Sequence, residues 1–353
     1  MKYVVYFKLA SYYYNLIILY MRSLLIICLF FFSLVSVNAQ TVVVVEQGQK
    51  VSIRGLSMPT ASVVWASGSN GMVARSVDGG NTFRWMRVEG YAKRDFRDIE
   101  AFDSSTAILM VVDAPAIILK TTDGGLSWKK VFEDQRPGMF LDAMDFSGNN
   151  GVVIGDPING KTFMAVSKDK GDSWVPRENL DVMMDGEAFF ASSGSNVKLL
   201  SAKGSLKTLF VSGGIQSRMF FNGNAINLPL QSGRNSTGAN GLALHPNQKQ
   251  GIIVGGDFAN DKRSDSSILL FSLYPKATFS YPVTPPSGYK SAAVFLSKTS
   301  VLACGTSGVD LSVDAGLNWK TISNIGFHVA VKSPDGKYAI MAGGNGRIAK
   351  FQF

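Results

Sequence analysis

Eight residues sit where their side chains could do chemistry. Arg54, Arg97, Asp98, Asp142, Glu187 and His328 stand at or beside the beginning of apolar, strand-like runs, and Asp156 and Asp257 follow glycine at the end of others, in Gly155-Asp156-Pro157 and Gly255-Gly256-Asp257. A charge at the start of an apolar strand costs desolvation unless it is paired or wet. Several such charges converging on one place make either a polar pocket or an ion-paired plug. In a pocket, two of the carboxylates Asp98, Asp142, Glu187, Asp156 and Asp257 could cleave a glycosidic bond, one as acid and the other as nucleophile or base, if they stood roughly 5–9.5 Å apart. In a plug, Arg54 and Arg97 would simply neutralise Asp98, Asp142 and Glu187.

A repeat is what could gather residues so distant in sequence. Ser76-Val77-Asp78-Gly79-Gly80-Asn81-Thr82-Phe83 returns as Thr121-Thr122-Asp123-Gly124-Gly125-Leu126-Ser127-Trp128, as Ser167-Lys168-Asp169-Lys170-Gly171-Asp172-Ser173-Trp174 and as Ser312-Val313-Asp314-Ala315-Gly316-Leu317-Asn318-Trp319. Each copy reads Ser/Thr-x-Asp-x-Gly-x-polar-aromatic. These types suit a tight turn between strands. The Asp accepts amide hydrogen bonds across the bend, and Gly80, Gly125, Gly171 or Gly316 tolerates positive φ. The aromatic residue leaving the turn can wedge against the neighbouring unit. The pattern resembles the Asp box, or bacterial neuraminidase repeat, of β-propellers.

Spacing sets the number of units. Asp78 to Asp123 is 45 residues, Asp123 to Asp169 is 46, and Asp169 to Asp314 is 145, close to three such steps. Two degenerate units are therefore expected between the third and fourth copies, with turns at Phe221-Asn222-Gly223-Asn224 and at Tyr274-Pro275-Lys276. Units are expected to begin near Val51, Phe96, Phe140, Gly186, Asn240, Lys290 and Phe327. The fold class predicted is all-β, a seven-bladed β-propeller of four-stranded antiparallel blades. The last unit has only three strands, while the β-branched Thr41-Val42-Val43-Val44-Val45-Glu46 precedes the first. That segment is expected to complete the last blade and close the ring, removing two sheet edges.

With the repeated turn between strands three and four, the starts of first strands and the loops after second strands lie on the opposite face. That face is the expected mouth, carrying Arg54, Arg97, Asp98, Asp142, Glu187, Asp156, Asp257 and His328. The longest loop there, Asp257 to Ser267, reads as a solvated loop, with a lid as the alternative.

Met21-Arg22, the apolar Leu24 to Val35 and Val37-Asn38-Ala39-Gln40 have the order of a secretory signal at about 21–39, preceded by an upstream extension. The expected organisation is thus 1–39 removed and 40–353 a single propeller, secreted or periplasmic, with no stable membrane span in the mature chain. Removing 1–39 takes away Lys2, Lys8 and Arg22 and no acid, lowering the net charge from +9 to +6. No dense basic block marks a nucleic-acid surface. Two histidines in 353 residues give little material for His-based metal sites, and no metal or cofactor is expected. Cys304 is then the only cysteine and reads as a small buried strand residue.

Beyond the turns, Arg54-Gly55-Leu56-Ser57, Val64-Trp65-Ala66-Ser67-Gly68-Ser69-Asn70-Gly71, Asp95 to Phe102 and Gly255-Gly256-Asp257 are similar to the photosystem II stability and assembly factor family, over roughly residues 41–353. The resemblance implies a seven-bladed propeller acting as an assembly or binding platform. Some relatives are described as oxidoreductases, but no cofactor motif occurs here. Sialidases share the repeated turns, yet their Phe/Tyr-Arg-Ile-Pro motif is absent, Ile53-Arg54-Gly55 being the nearest approach. The expected function is a monomeric, non-catalytic platform binding an envelope or extracellular protein or glycan. The alternative is a sialidase-like glycoside hydrolase or lyase.

Overall fold

Strands buried on both faces read as unbroken apolar runs, and strands at an outer edge do not. Val63–Gly68, Ala107–Val111 and Ala116–Thr121 are buried at every position, whereas Arg84–Arg87 and Lys320–Ser323 have no fully buried residue. The computed structural model describes residues 12–22, 41–177, 182–202 and 205–353. Residues 12–22 form a helix in a unit separate from the propeller. Among the described residues no helix is long and apolar enough to cross a membrane. All but the first two positions of the expected leader, 21–39, lie outside the described residues.

The β-strands build seven antiparallel blades. The first is Ile53–Thr60, Val63–Gly68, Met72–Ser76 and Arg84–Arg87, and the second Phe96–Ala101, Ala107–Val111, Ala116–Thr121 and Lys129–Asp134. The third is Leu141–Ser147, Asn150–Ile158, Lys161–Ser167 and Val175–Pro176, and the fourth Val197–Ala202, Ser205–Val211, Arg218–Phe221 and Asn224–Asn227. The fifth is Thr237–Leu244, Gln250–Asp257, Ile268–Ser272 and Thr278–Ser280, and the sixth Ala292–Phe295, Val301–Gly305, Gly308–Ser312 and Lys320–Ser323. The seventh takes Val329–Lys332, Tyr338–Ala342 and Ile348–Gln352 and is completed by Val42–Glu46, which pairs antiparallel with its third strand, Val42 facing Phe351. Each first strand touches the next, and the seventh touches the first, so the ring closes as the sequence predicts. The cores lie between blades. Trp65, Phe96, Leu109 and Ile117, for instance, fill one interface between the first and second.

The four repeated turns join third to fourth strands and share one hydrogen-bond pattern. In the first, the Ser76 hydroxyl donates to Asp78 Oδ1 at 2.7 Å and accepts from the Gly80 amide at 2.9 Å. Asp78 also accepts from the Thr82 amide at 3.0 Å and hydroxyl at 2.6 Å. Asp123, Asp169 and Asp314 repeat the arrangement with Ser127, Ser173 and Asn318. Gly80, Gly125, Gly171 and Gly316 all have positive φ. Trp128 meets Trp65 of the preceding blade edge-on at 6.4 Å, and Trp319 packs among Ile252, Val254 and Ile268 of the fifth. Cys304 is buried and unbonded to another cysteine, and burial pushes its thiol up to about 12.

One boundary departs from expectation. The fourth blade begins at Val197, not near Gly186. Glu187–Ala188 instead pairs with Gly213–Gly214, which in turn joins the first strand of the fifth blade. The residues after Ala188 cross the central channel, as their contacts with five different blades show below.

Candidate functional site: a cationic cavity at the channel mouth

Four first strands carry an extra residue at the same place. In the first blade Ile53 faces Gly68 and Gly55 faces Ser67, so Arg54 is left over as a β-bulge. Arg97, between Phe96 and Asp98, is left over in the same way, as are Asp142, between Leu141 and Ala143, and Asn240, between Ala239 and Gly241. A bulge bends its strand and re-aims the unpaired side chain. Close packing demands small neighbours there. A Cβ at Gly55 would come 2.3 Å from Ser67 Oγ, and one at Gly241 2.2 Å from Ser195 Oγ.

Arg54, Arg97 and Asn240 thereby line a cavity of about 490 Å³ at the mouth, with Asp156, Tyr289, His328 and an aromatic wall that includes Phe140, Phe190 and Phe258. Its floor is the chain that follows Glu187. The Phe189 amide donates to Asp156 Oδ1 at 2.9 Å, and the Arg54 guanidinium reaches the Ser192 carbonyl at 3.5 Å. The Ser192 hydroxyl donates to Asn240 Oδ1 at 3.1 Å, and Ser193 Oγ to the Ser291 carbonyl at 2.8 Å. Gly194 lies against Asp98, where a Cβ would stand 2.3 Å from a carboxylate oxygen. Residues 189–195 thus touch the first, second, third, fifth and sixth blades and divide the channel. Below them a second cavity, of about 500 Å³, is lined by Asp98, Glu100, Lys198 and Lys332 among others.

Electrostatically the upper cavity is positive. Among the described residues Arg54 makes no ion pair, and its one hydrogen bond is the long contact with Ser192. Burial and the neighbouring Arg97 charge lower its pKa. Arg97 lies 3.6 Å from the half-exposed Asp95 and 5.7 Å from the centre of the Phe140 ring. His328 Nδ1 donates to the Ile53 carbonyl at 3.0 Å. Burial first, then the Arg54 charge, bring the imidazole down to about 4, so it is neutral at pH 7. Burial raises Asp156 to about 6.

Of the eight expected mouth residues, Arg54, Arg97, Asp156 and His328 line the cavity, and the other four do not. Asp98 lies beneath the crossing segment, accepting from the Ile99 and Met144 amides at 2.8 Å each. Asp142 is fully buried, with the Asp156 and Ala191 backbone amides as its nearest donors, and burial first, then the Asp156 charge, raise its pKa well above the usual range. Glu187 stands outside any first strand. It is buried against Arg218, whose Nε donates to both carboxylate oxygens at 2.9 and 3.1 Å, with Ser212 and the Met184 amide as further donors. Asp257 is buried and accepts from the Ala259 amide at 3.0 Å, with Arg234 at 3.7 Å. A pair of open carboxylates, which glycosidic cleavage needs, is therefore not assembled from these five; Asp156 alone faces the cavity. Arg54 and Arg97 do not neutralise Asp98, Asp142 or Glu187 by contact either, since Glu187 takes Arg218 and Asp98 takes backbone amides.

Asn240, Tyr289 and the aromatic wall were not legible as site residues. Asn240 sits in a bulge that shifts the period-two phase, and Tyr289 precedes its strand. The one available signal is the recurrence of apolar–polar–small at Ile53-Arg54-Gly55 and Ala239-Asn240-Gly241.

Fold and cavity together define a closed seven-bladed β-propeller with a cationic mouth. No family model and no curated protein matches the sequence. Among solved structures, YCF48 bound to D1 peptide aligns with a TM-score of 0.61 at 16% identity, over 90% of this chain and 98% of that one. YCF48 from Cyanidioschyzon merolae aligns at 0.59 and 14%, over 88% and 98%. This likeness is one of fold, and it agrees with the seven-bladed propeller expected from the sequence.

Proposed function

We propose that the protein is a binding platform that captures an acidic segment of a partner protein in the cavity bearing Arg54 and Arg97, and that it works outside the cytoplasm. The observation that carries this is Arg54, a partly buried guanidinium beside a second arginine and without a carboxylate partner among the described residues. Such a charge is costly to keep unpaired, and an incoming carboxylate supplies what the fold leaves out through charge-assisted hydrogen bonds. A cavity of about 490 Å³ admits a few side chains, not a domain, so the partner must present an extended or protruding segment. YCF48, a propeller of the same fold, holds a D1 peptide. That precedent supports a peptide in preference to a glycan, and the single facing carboxylate, Asp156, supports binding in preference to glycoside cleavage.

The test is fluorescence anisotropy with short acidic peptides and uncharged counterparts, at low and moderate salt. Acidic peptides should bind more tightly, and Arg54→Gln and Arg97→Gln should each weaken them roughly tenfold or more. Equal binding of acidic and neutral peptides, or turnover of a glycoside substrate that Asp156→Asn abolishes, would reverse the assignment.

A further inference from the structure

One wall of the same cavity is aromatic and incompletely covered. Phe258 is 48% exposed. It meets Phe190 edge-on at 5.6 Å and Tyr289 at 6.3 Å, and all three line the cavity with Arg54 and Arg97.

The ring is held in place. The Phe258 amide donates to the Ser236 carbonyl at 3.1 Å, and the buried Asp257 before it caps the turn through Ala259. The loop beyond is tied at Asp261, whose carbonyl accepts from the Tyr289 amide at 2.9 Å. On the other side Phe190 fits only because residue 213 is glycine, where a Cβ would stand 2.4 Å from its ring. Tyr289 is fixed by its hydroxyl, which donates to Asn240 Oδ1 at 2.8 Å. Phe258, half exposed, rests against the partly buried Phe190 and the buried Tyr289, and the three form a preorganised apolar wall of the cavity, which needs little ordering when it is covered.

Resting on the peptide-binding function above, we infer that Phe190, Phe258 and Tyr289 form a second subsite that takes an aromatic or branched aliphatic side chain of the bound segment, close in sequence to its acidic residue. The charge on Arg54 and Arg97 selects an anionic partner, and the adjoining apolar rings select what stands beside the anion. On an extended chain, residues two apart point to the same side at roughly 6–7 Å spacing. A carboxylate and a ring so spaced can enter one cavity together.

The experiment compares two capped pentapeptides, identical except that one carries Phe and the other Ala two positions before a Glu, on the intact protein. The Phe peptide should bind roughly tenfold more tightly. That advantage should vanish in Phe258→Ala and return largely in Phe258→Leu, while Arg54→Gln weakens both peptides alike. Phe258 is half exposed, so its removal should leave the melting temperature nearly unchanged, which separates loss of the subsite from loss of the fold. Equal affinities for the two peptides, or an advantage that persists in Phe258→Ala, would overturn the subsite while leaving acidic recognition standing. If neither peptide binds but an acidic oligosaccharide does, both the peptide assignment and the subsite fall.

Discussion

Arg54 places the protein's interest in binding against its interest in stability. Removing an uncompensated, partly buried charge relieves a desolvation cost, so Arg54→Gln should melt at the same temperature as the native protein or a few degrees above it, even as acidic peptides are lost. A clear fall in the melting temperature would show that Arg54 is structural. Asp156 gives the cavity a pH dependence whose sign is fixed. Its pKa is raised to about 6 by burial; lowering the pH from 7.5 to 5.5 protonates most of it, largely removes the one negative charge that lines the cavity among the described residues, and should tighten acidic peptides severalfold. Asp156→Asn should bind them tightly and with little pH dependence over that range, measured again by anisotropy. Arg54, Arg97 and His328 were legible in the sequence because each is a polar residue at the start of an apolar run. Asp98 and Glu187 looked equivalent but are not. Asp98 comes one residue after a bulge, so its side chain leaves the mouth, and the amides of Ile99 and Met144 hold it below the floor.

Among the elements, the segment that crosses the channel is the one the repeat could not reveal. A periodic pattern predicts what each unit shares, and residues 187–196 belong to no unit; they occupy the place where a fourth first strand was expected. Their stem rests on Glu187 and Arg218, buried together. Removing one member of such a pair leaves the other charge buried and unmatched, which typically costs about 3–5 kcal/mol. Glu187→Ala should therefore lower the free energy of unfolding in urea by about that amount, and a change under about 1 kcal/mol would mean that the stem is held by its backbone. The degenerate turns are legible for the opposite reason. Phe221-Asn222-Gly223-Asn224 and Tyr274-Pro275-Lys276 lie between third and fourth strands of the fourth and fifth blades, where the 145-residue interval between Asp169 and Asp314 requires them.

At the scale of the whole molecule, two sets of acids oppose each other in pH. Burial raises Asp98, Glu100, Asp142 and Asp156 above their ordinary values. Between about pH 4 and 8 the folded chain thus holds protons that the unfolded chain has released, and stability falls as pH rises. The turn aspartates run the other way. Asp123 and Asp169 are brought to about 2 by the side-chain and backbone donors of Ser127 and Ser173, so their contribution is present above about pH 4 and lost as pH falls toward 2. The melting temperature should peak in mildly acidic buffer and be lower at pH 8.5; a maximum above pH 8 would show that the buried acids are ionised and matched in the fold. Closure was legible from the count of strands alone, since three at one end and a lone β-branched segment at the other can satisfy each other. Deleting residues 41–46 exposes the edge of Ile348–Gln352 and should lower the melting temperature by roughly 10 °C.

The crossing of the channel by residues 189–195 also bears on how a partner of the proposed kind would come and go. A ring with an open bore can be threaded, and a chain passing through it is held by topology even when its contacts are weak. Here the bore is stopped by Ser192 and Ser193, hydrogen-bonded to Asn240 and to the Ser291 carbonyl. The cavity therefore has a floor. A segment bound there as proposed would not be threaded through the ring: no end of it would need to be free for capture, and the lifetime of the complex would rest on the contacts made at the mouth.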